Sequence, residues 1–230
     1  LAQNDALTKM QSKYFNRRRS RHHNCPLSIV NCPFILIQGG FPELLIENNK
    51  HDYVMGLLDA IIKRDITKRF KVRYPEVLQR LATYMMDNFA QEYNASTLSG
   101  LFGVTDHTID TYCHYLQEAF LLHSVHKFSY KSRERMHGEK LYVIDPAFLS
   151  FRSNTFNTQN MGWRLENAVF IELLHRASQT YSDVFYYRER GFEVDFLVAK
   201  SGVVESIYQV CYDLWWRTEE RCSCRSYNLY

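Results

Sequence analysis

The sequence predicts an α+β fold, in which a helical region ending in a winged helix-turn-helix is followed by an incomplete α/β region. Three observations carry that expectation. Apolar residues recur at three- and four-residue steps from Val54 to Phe89, the spacing of a helix with one buried stripe. Between Asn94 and Phe148, two short helical patterns separated by Gly103 precede two strand patterns around a basic loop. Beyond Gly162, one more helical pattern gives way to strands with two-residue alternation. With 230 residues, 46% of them hydrophobic, the chain holds enough apolar material for a real core.

In order along the chain, residues 1–38 follow no sustained period and receive no predicted element. From His51 a long helix is expected, with Val54, Leu57, Leu58, Ile61, Ile62 and Ile66 on one face. Pro75 suits the first position of a second helix, where its missing N–H costs nothing, and Leu78, Leu81, Met85 and Phe89 continue the stripe. A helix over residues 96–102 stops at Gly103, and Thr105 is placed to cap the next. In that helix Ile109, Cys113, Leu116 and Phe120 are expected to face inward, while Asp106 and Asp110 lie at the end where the helix dipole favours negative charge. Strands over 121–130 and 140–144, joined by the loop 131–139, supply the wing. A helix over 162–176 buries Leu165, Val169 and Leu173. Strands follow over 184–188, 192–199 and 206–212, with Phe192, Val194, Phe196 and Val198 on one face of the second, and Glu193 and Asp195 on the other. The tail from Arg217 shows no period. The expected divisions are 1–38, 39–150 and 151–230.

Composition excludes several classes. The longest uncharged apolar stretches, 32–38 and 53–58, fall well short of the roughly 20 residues that span a bilayer. No membrane partner is expected, no secretion signal is present, and a cytoplasmic location follows. Six cysteines include no CxxC pair, which argues against a zinc ribbon or a disulfide framework. Neither His22–His23 nor Cys222 with Cys224 has the spacing of a four-ligand metal site. Asn94-Ala95-Ser96 matches a glycosylation acceptor, which means nothing without secretion. A net charge of +3 does not by itself establish a nucleic-acid partner. The basic residues do cluster: Arg17, Arg18, Arg19 and Arg21; Lys63, Arg64, Lys68, Arg69, Lys71 and Arg73 on one helix; and Lys127, Lys131, Arg133, Arg135 and Lys140 around the hairpin.

A series of short runs carries a resemblance. Gly39-Gly40-Phe41-Pro42-Glu43, Arg64-Asp65-Ile66, Thr108-Ile109 with Tyr112 and Leu116, and Glu118 to Leu122 come first. Phe128-Ser129, Lys140 with Tyr142 and Asp145, Glu166 to Phe170, Glu193 to Phe196 and Gln209-Val210 follow in the same order. Over roughly residues 39 to 221 the chain thereby resembles the C-terminal half of a large prokaryotic family of AAA+ ATPases. The resemblance implies an ATPase core ahead of the Gly-Gly-Phe-Pro-Glu run, then a domain of unknown function with winged-helix and restriction-endonuclease-like portions. No GxxxxGK[ST] occurs here, so no loop can cradle phosphates; the Gly39-Gly40 pair reads as a turn before Pro42. The stretches before residue 39 and after 221 depart from the family pattern, which points to a truncated or frame-disrupted chain.

A nuclease of the PD-(D/E)XK kind needs an acidic residue on one strand, an acidic or amide residue on the next, and a lysine two positions later. The oxygens hold magnesium and the ammonium polarises the attacking water. Asp195 and Gln209 fit the first two roles and Glu166 can add a ligand, but Cys211 stands at the lysine position, so the set is degenerate. On the helix-turn-helix, the exposed face of the second helix carries Asp106, His107, Asp110, Thr111, His114, Gln117 and Glu118 and no cation, which disfavours major-groove reading. Nucleic-acid contact is therefore expected from the wing, through Lys127, Lys131, Arg133, Arg135 and Lys140. The expected function is a non-catalytic module that engages nucleic acid non-specifically or a protein partner, coupled to an ATPase in its parent protein. The alternative is a magnesium-dependent nuclease. No cofactor or metal is expected for the first reading in this chain; ATP with magnesium would belong to an ATPase core, and magnesium alone to the nuclease.

Overall fold

The structure is a computed structural model, which describes residues 33–131, 138–151, 161–189, 191–212 and 222–228. It begins with a helix, α1 (Pro33–Gln38), in a stretch where sequence period predicts none. Gly39 then turns the chain at φ +80, and Pro42–Leu45 forms a single 3-10 turn. A Cβ on Gly39 would stand 2.1 Å from Asp145 Oδ1 and 2.5 Å from the Ala147 nitrogen, so both the angle and the space require glycine. The Asp145 carboxylate accepts from the N–H of Gly40 (3.0 Å) and of Ala147 (2.7 Å), fastening the Gly-Gly turn to the end of the hairpin.

Helix α2 (Lys50–Ala60) is capped by Asn49, whose side chain accepts from the Asp52 N–H, and it runs on through a π-helical segment, Ile61–Thr67, and a last α turn, Lys68–Phe70. Val54, Leu58, Ile62 and Ile66 are buried, as the stripe requires. The helix ends at Lys71, which adopts φ 49. Lys71 and Arg73 therefore lie on the loop beyond the helix and not, as the charge run predicts, on the helix itself. Helix α3 (Pro75–Asp87) starts on its proline and buries Leu78, Leu81 and Met85.

Strand β1 (Glu92–Tyr93), helices α4 (Ala95–Phe102) and α5 (Asp106–Glu118), and strands β2 (Leu122–Lys127) and β3 (Glu139–Val143) complete a winged helix-turn-helix. Asn94 is the N-cap of α4, with its Oδ1 accepting from the Thr97 N–H at 3.1 Å. Gly103 closes that helix in the left-handed conformation, and Thr105 caps α5. Phe120 does not continue the buried face of α5. The helix stops at Glu118, Phe120 takes the left-handed position at φ 53, and Leu121 N–H bonds back to the Leu116 carbonyl, so the phenyl ring is left 76% exposed.

After the short α6 (Ala147–Ser150) come α7 (Met161–Thr180) and strands β4 (Asp183–Glu189), β5 (Phe192–Lys200), β6 (Val203–Tyr212) and β7 (Cys222–Asn228). All strands join one sheet in the order β1-β3-β2-β4-β5-β6-β7. It is mixed: β2 and β4 pair in parallel through His126–Phe185 and Lys127–Tyr186, and the other neighbours are antiparallel. The hairpin is thus stitched into the sheet, and the main apolar core extends from Leu36 to Val198, beside a smaller cluster around Phe128 and Leu197. Strand β7 arises in the tail without a sequence period because an edge strand needs only backbone pairing. Among the described residues no helix is long and apolar enough to cross a membrane.

Strand β5 departs from the predicted alternation. Phe185 pairs with Leu197 but Tyr187 with Val194, so Tyr186 alone faces both Asp195 and Phe196. This β-bulge brings Phe196 into the main core with Tyr142 and Phe170, while Val194 packs in a second cluster with Leu197. Helix α7 is held to the hairpin by Asn167, fully buried, whose amide accepts from the Val143 N–H and donates to the Val143 carbonyl, each at 2.8 Å. Arg164 reaches the carbonyls of Leu36 and Leu149, joining α1 and α6 to the same helix. Replacing Asn167 with alanine strands both Val143 backbone groups and is expected to cost about 2–4 kcal/mol. Urea unfolding should show this as a lower midpoint with an unchanged slope; a loss near zero would mean that the pair is satisfied another way.

Candidate functional site

Three of the residues singled out as a nuclease-like set do come together. Glu166 projects from α7 and Asp195 from the bulge in β5, while the register that pairs Phe196 with Tyr208 brings Gln209 beside Asp195. Asp195 Oδ2 accepts from Gln209 Nε2 at 2.7 Å and from the Val210 N–H at 2.6 Å. Cys211 is an exposed free thiol.

The cation of this site comes from an unexpected strand. Lys140 on β3, assigned by sequence to the exposed wing, is only 5% exposed. Its ammonium lies 5.3 Å over the Tyr186 ring, donates to Glu193 Oε1 at 2.6 Å and stands 3.6 Å from Glu166 Oε1. The assignment of Lys140 to a nucleic-acid contact is therefore corrected: a buried ammonium held by two carboxylates is not available to phosphates. A usable signal was present, since Lys140 and Tyr142 are two apart on one strand and share a face, and Tyr142 Oη donates to the same Glu166 oxygen at 2.7 Å. Of the other wing cations, Lys127 is half-buried at the end of β2 and Lys131 is exposed. Arg133 and Arg135 lie outside the described residues.

Burial and charge compete across this cluster. Desolvation alone would lower the Lys140 ammonium, but Glu166, Glu193 and Asp195 outweigh it and leave the group above its ordinary value. Burial pushes the Glu166 carboxyl up to about 7; Lys140 and the Tyr142 hydroxyl oppose that rise, and Asp195 and Glu193 add to it. Asp195 is also raised, chiefly by burial, against the Val210 N–H and Lys140. Among the described residues no group of three or more His, Cys, Asp or Glu side chains is placed to hold a metal ion.

The molecule has a second concave feature. A cleft of about 510 Å³ opens between the loop after α2 and the first half of α5. Phe70 and Tyr115 stack along it at 4.1 Å, and Lys71, Arg73 and Tyr74 form one rim.

Because Glu166 holds its proton more tightly in the fold than in the unfolded chain, that proton contributes stability below the ordinary glutamate range. The contribution is lost as pH rises through about 7. Glu166→Gln retains an oxygen for Tyr142 but never ionises. It is expected to match the wild type at about pH 4 and to exceed it by on the order of 2 kcal/mol at about pH 8. Denaturant unfolding at both pH values checks this, and a difference independent of pH would contradict it.

Comparison with known proteins finds relatives in both prokaryotic domains. An uncharacterized protein of Methanocaldococcus jannaschii is 32% identical over 194 residues, covering 80% of this chain and 42% of the relative. An uncharacterized protein of Haemophilus influenzae is 28% identical over 189 residues, covering 79% of this chain and 46% of the relative. The chain thus spans less than half the length of either relative. No solved structure matches. Residues 31–159, from α1 through the winged helix-turn-helix and α6, match a family described as a domain of unknown function, DUF8612, and the chain belongs to that family.

Proposed function

We propose that the chain is a non-catalytic interaction module from an AAA+ ATPase-type protein, in which a nuclease-like carboxylate cluster is neutralised by a lysine in place of a metal ion. The observation that carries it is the Lys140 ammonium, 2.6 Å from Glu193 and 3.6 Å from Glu166 in the interior of the sheet. A divalent cation at this position would have to displace that ammonium, and Asp195 Oδ2 is already bonded to Gln209 and Val210. The link to an AAA+ protein rests on the ordered series of runs from Gly39 to Val210. It is compatible with relatives more than twice as long as the matched region, which leaves each of them length for further domains. The sequence in hand has no phosphate-cradling GxxxxGK[ST] loop of its own.

A magnesium-dependent nuclease is the rival, and one observation favours it: Lys140 supplies the ammonium that Cys211 does not. Against it, that ammonium engages Glu166 and Glu193 themselves, so the donors do not fit a metal in this arrangement. Incubation with plasmid and single-stranded DNA in magnesium or manganese is expected to give no cleavage above an Asp195→Ala control. Cleavage that disappears in the control would overturn the non-catalytic reading. Titration with magnesium and ATP is expected to give no saturable signal at millimolar nucleotide, and a micromolar dissociation constant would contradict it.

A further inference from the structure

We infer that the cleft beside the helix-turn-helix binds single-stranded nucleic acid, with phosphates on the Lys71–Arg73 rim and a base against the aromatic wall. The inference deepens the reading of the chain as an interaction module by naming its partner class and surface, and it moves that surface away from the wing. Four observations converge on it. The cleft, about 510 Å³, falls in the range of roughly 300–1,000 Å³ that accommodates small organic groups. None of its lining residues is a carboxylate, whereas Lys71 and Arg73 line it and are exposed. Lys68 and Arg69 stand exposed on the turn just before it, and among the described residues none of these four cations is in an ion pair. This contrasts with Lys63 one turn earlier, which is paired with Asp59 at 2.8 Å.

The wall is aromatic. Phe70 stacks on Tyr115, Tyr115 on Tyr112, and Tyr74 on the rim is 40% exposed with the Arg73 guanidinium 5.1 Å from its ring. The Tyr74 N–H donates to the Tyr112 hydroxyl at 2.9 Å, so the rim is fixed to α5 through backbone and does not depend on the Tyr74 ring. Arg69 likewise lies 5.0 Å over the Phe70 ring, and cations interleaved with aromatic rings are the chemistry that recognises a nucleic-acid strand without reading its sequence, because every base has a π-face and every nucleotide a phosphate. A duplex is disfavoured: to lie along α5 it would meet Asp106, Asp110 and Glu118, whereas an unpaired strand can enter the cleft and leave that face untouched.

The test is fluorescence anisotropy with a labelled oligothymidylate of about 20 nucleotides at low salt. The wild type is expected to bind it, with log affinity falling against log salt at a slope near −1.4 if two phosphates are neutralised. Lys71→Glu with Arg73→Glu should weaken binding at least about tenfold and remove most of that slope. Tyr74→Ala should weaken it about fivefold or more with the slope retained. Lys131→Glu, on the wing, should leave it unchanged. Lys71→Gln with Arg73→Gln, and thermal melts of every variant, separate lost contact from lost fold. Absence of binding by the wild type, indifference to the rim substitutions in folded protein, or tighter binding of duplex of the same length would each overturn the inference. Equal affinity for thymidine monophosphate would do so as well. Cleavage of the probe that still depends on the rim would support the cleft and overturn only the non-catalytic reading; no binding and no cleavage would overturn the cleft alone.

Discussion

The buried ammonium of Lys140 is the constraint around which the structure is organised. A lysine so far from water is tolerable only where carboxylates compensate for its lost hydration. Here they come from two elements distant in sequence, Glu166 on α7 and Glu193 on β5. The hairpin that carries Lys140 therefore cannot stand away from the body as a free wing. It must lie where those carboxylates lie, and the parallel pairing of β2 with β4 follows the same path, joining the helix-turn-helix to the strands beyond it. Removing the lysine would leave Glu166 and Glu193 without their cation, and removing both carboxylates together would leave a buried positive charge. Each alternative is costlier than the pair itself.

Around that charge the packing is specific. Tyr142, next but one to Lys140 on β3, stacks on Phe170 at 4.5 Å and donates to Glu166, so one ring serves both the apolar core and the polar cluster. The bulge in β5 turns Phe196 to the same side as these rings. Asn167, one residue after Glu166, satisfies both backbone groups of Val143 and sets the height of α7 over the hairpin. The two concave or polar features thus differ in electrostatic state. At the sheet, the buried ammonium is satisfied by the carboxylates of Glu166, largely buried, and Glu193, exposed; at the helix-turn-helix, Lys71 and Arg73 face solvent with no carboxylate lining the cleft beside them.

Much of this was legible in the sequence wherever one face of an element is buried over several turns. Val54 to Ile66, Leu78 to Met85 and Leu165 to Leu173 fall on buried faces as their spacing requires, and Gly103 and Thr105 mark the turn of the helix-turn-helix where they were expected. What escaped has local physical causes. Strand β1 is two residues long, too short to show any period. Phe120 obeys the helical spacing but follows a helix stop that the spacing cannot reveal. The bulge at Asp195–Phe196 breaks alternation by inserting a residue, and a lone sequence carries no mark of it. Asn94, whose match to a glycosylation acceptor means nothing without secretion, is the cap of α4, a role that its position one residue before the helix allows. For the candidate site, Glu166, Asp195 and Gln209 stand out in the sequence, but spacing along one strand points to residue 211 for their cation, and a partner 53 residues from Glu193 on another strand leaves no such spacing.

The protonation state of Lys140 tests the account most directly. With the side chain labelled at Cε, its carbon chemical shift followed against pH reports the ammonium itself. If the carboxylates of Glu166, Glu193 and Asp195 hold that charge in the interior, the group should stay protonated beyond the ordinary lysine value of 10.5 for as long as the fold persists. A midpoint below 10.5 in folded protein would show that burial outweighs the carboxylates, and the lysine would not be the cation that closes the cluster.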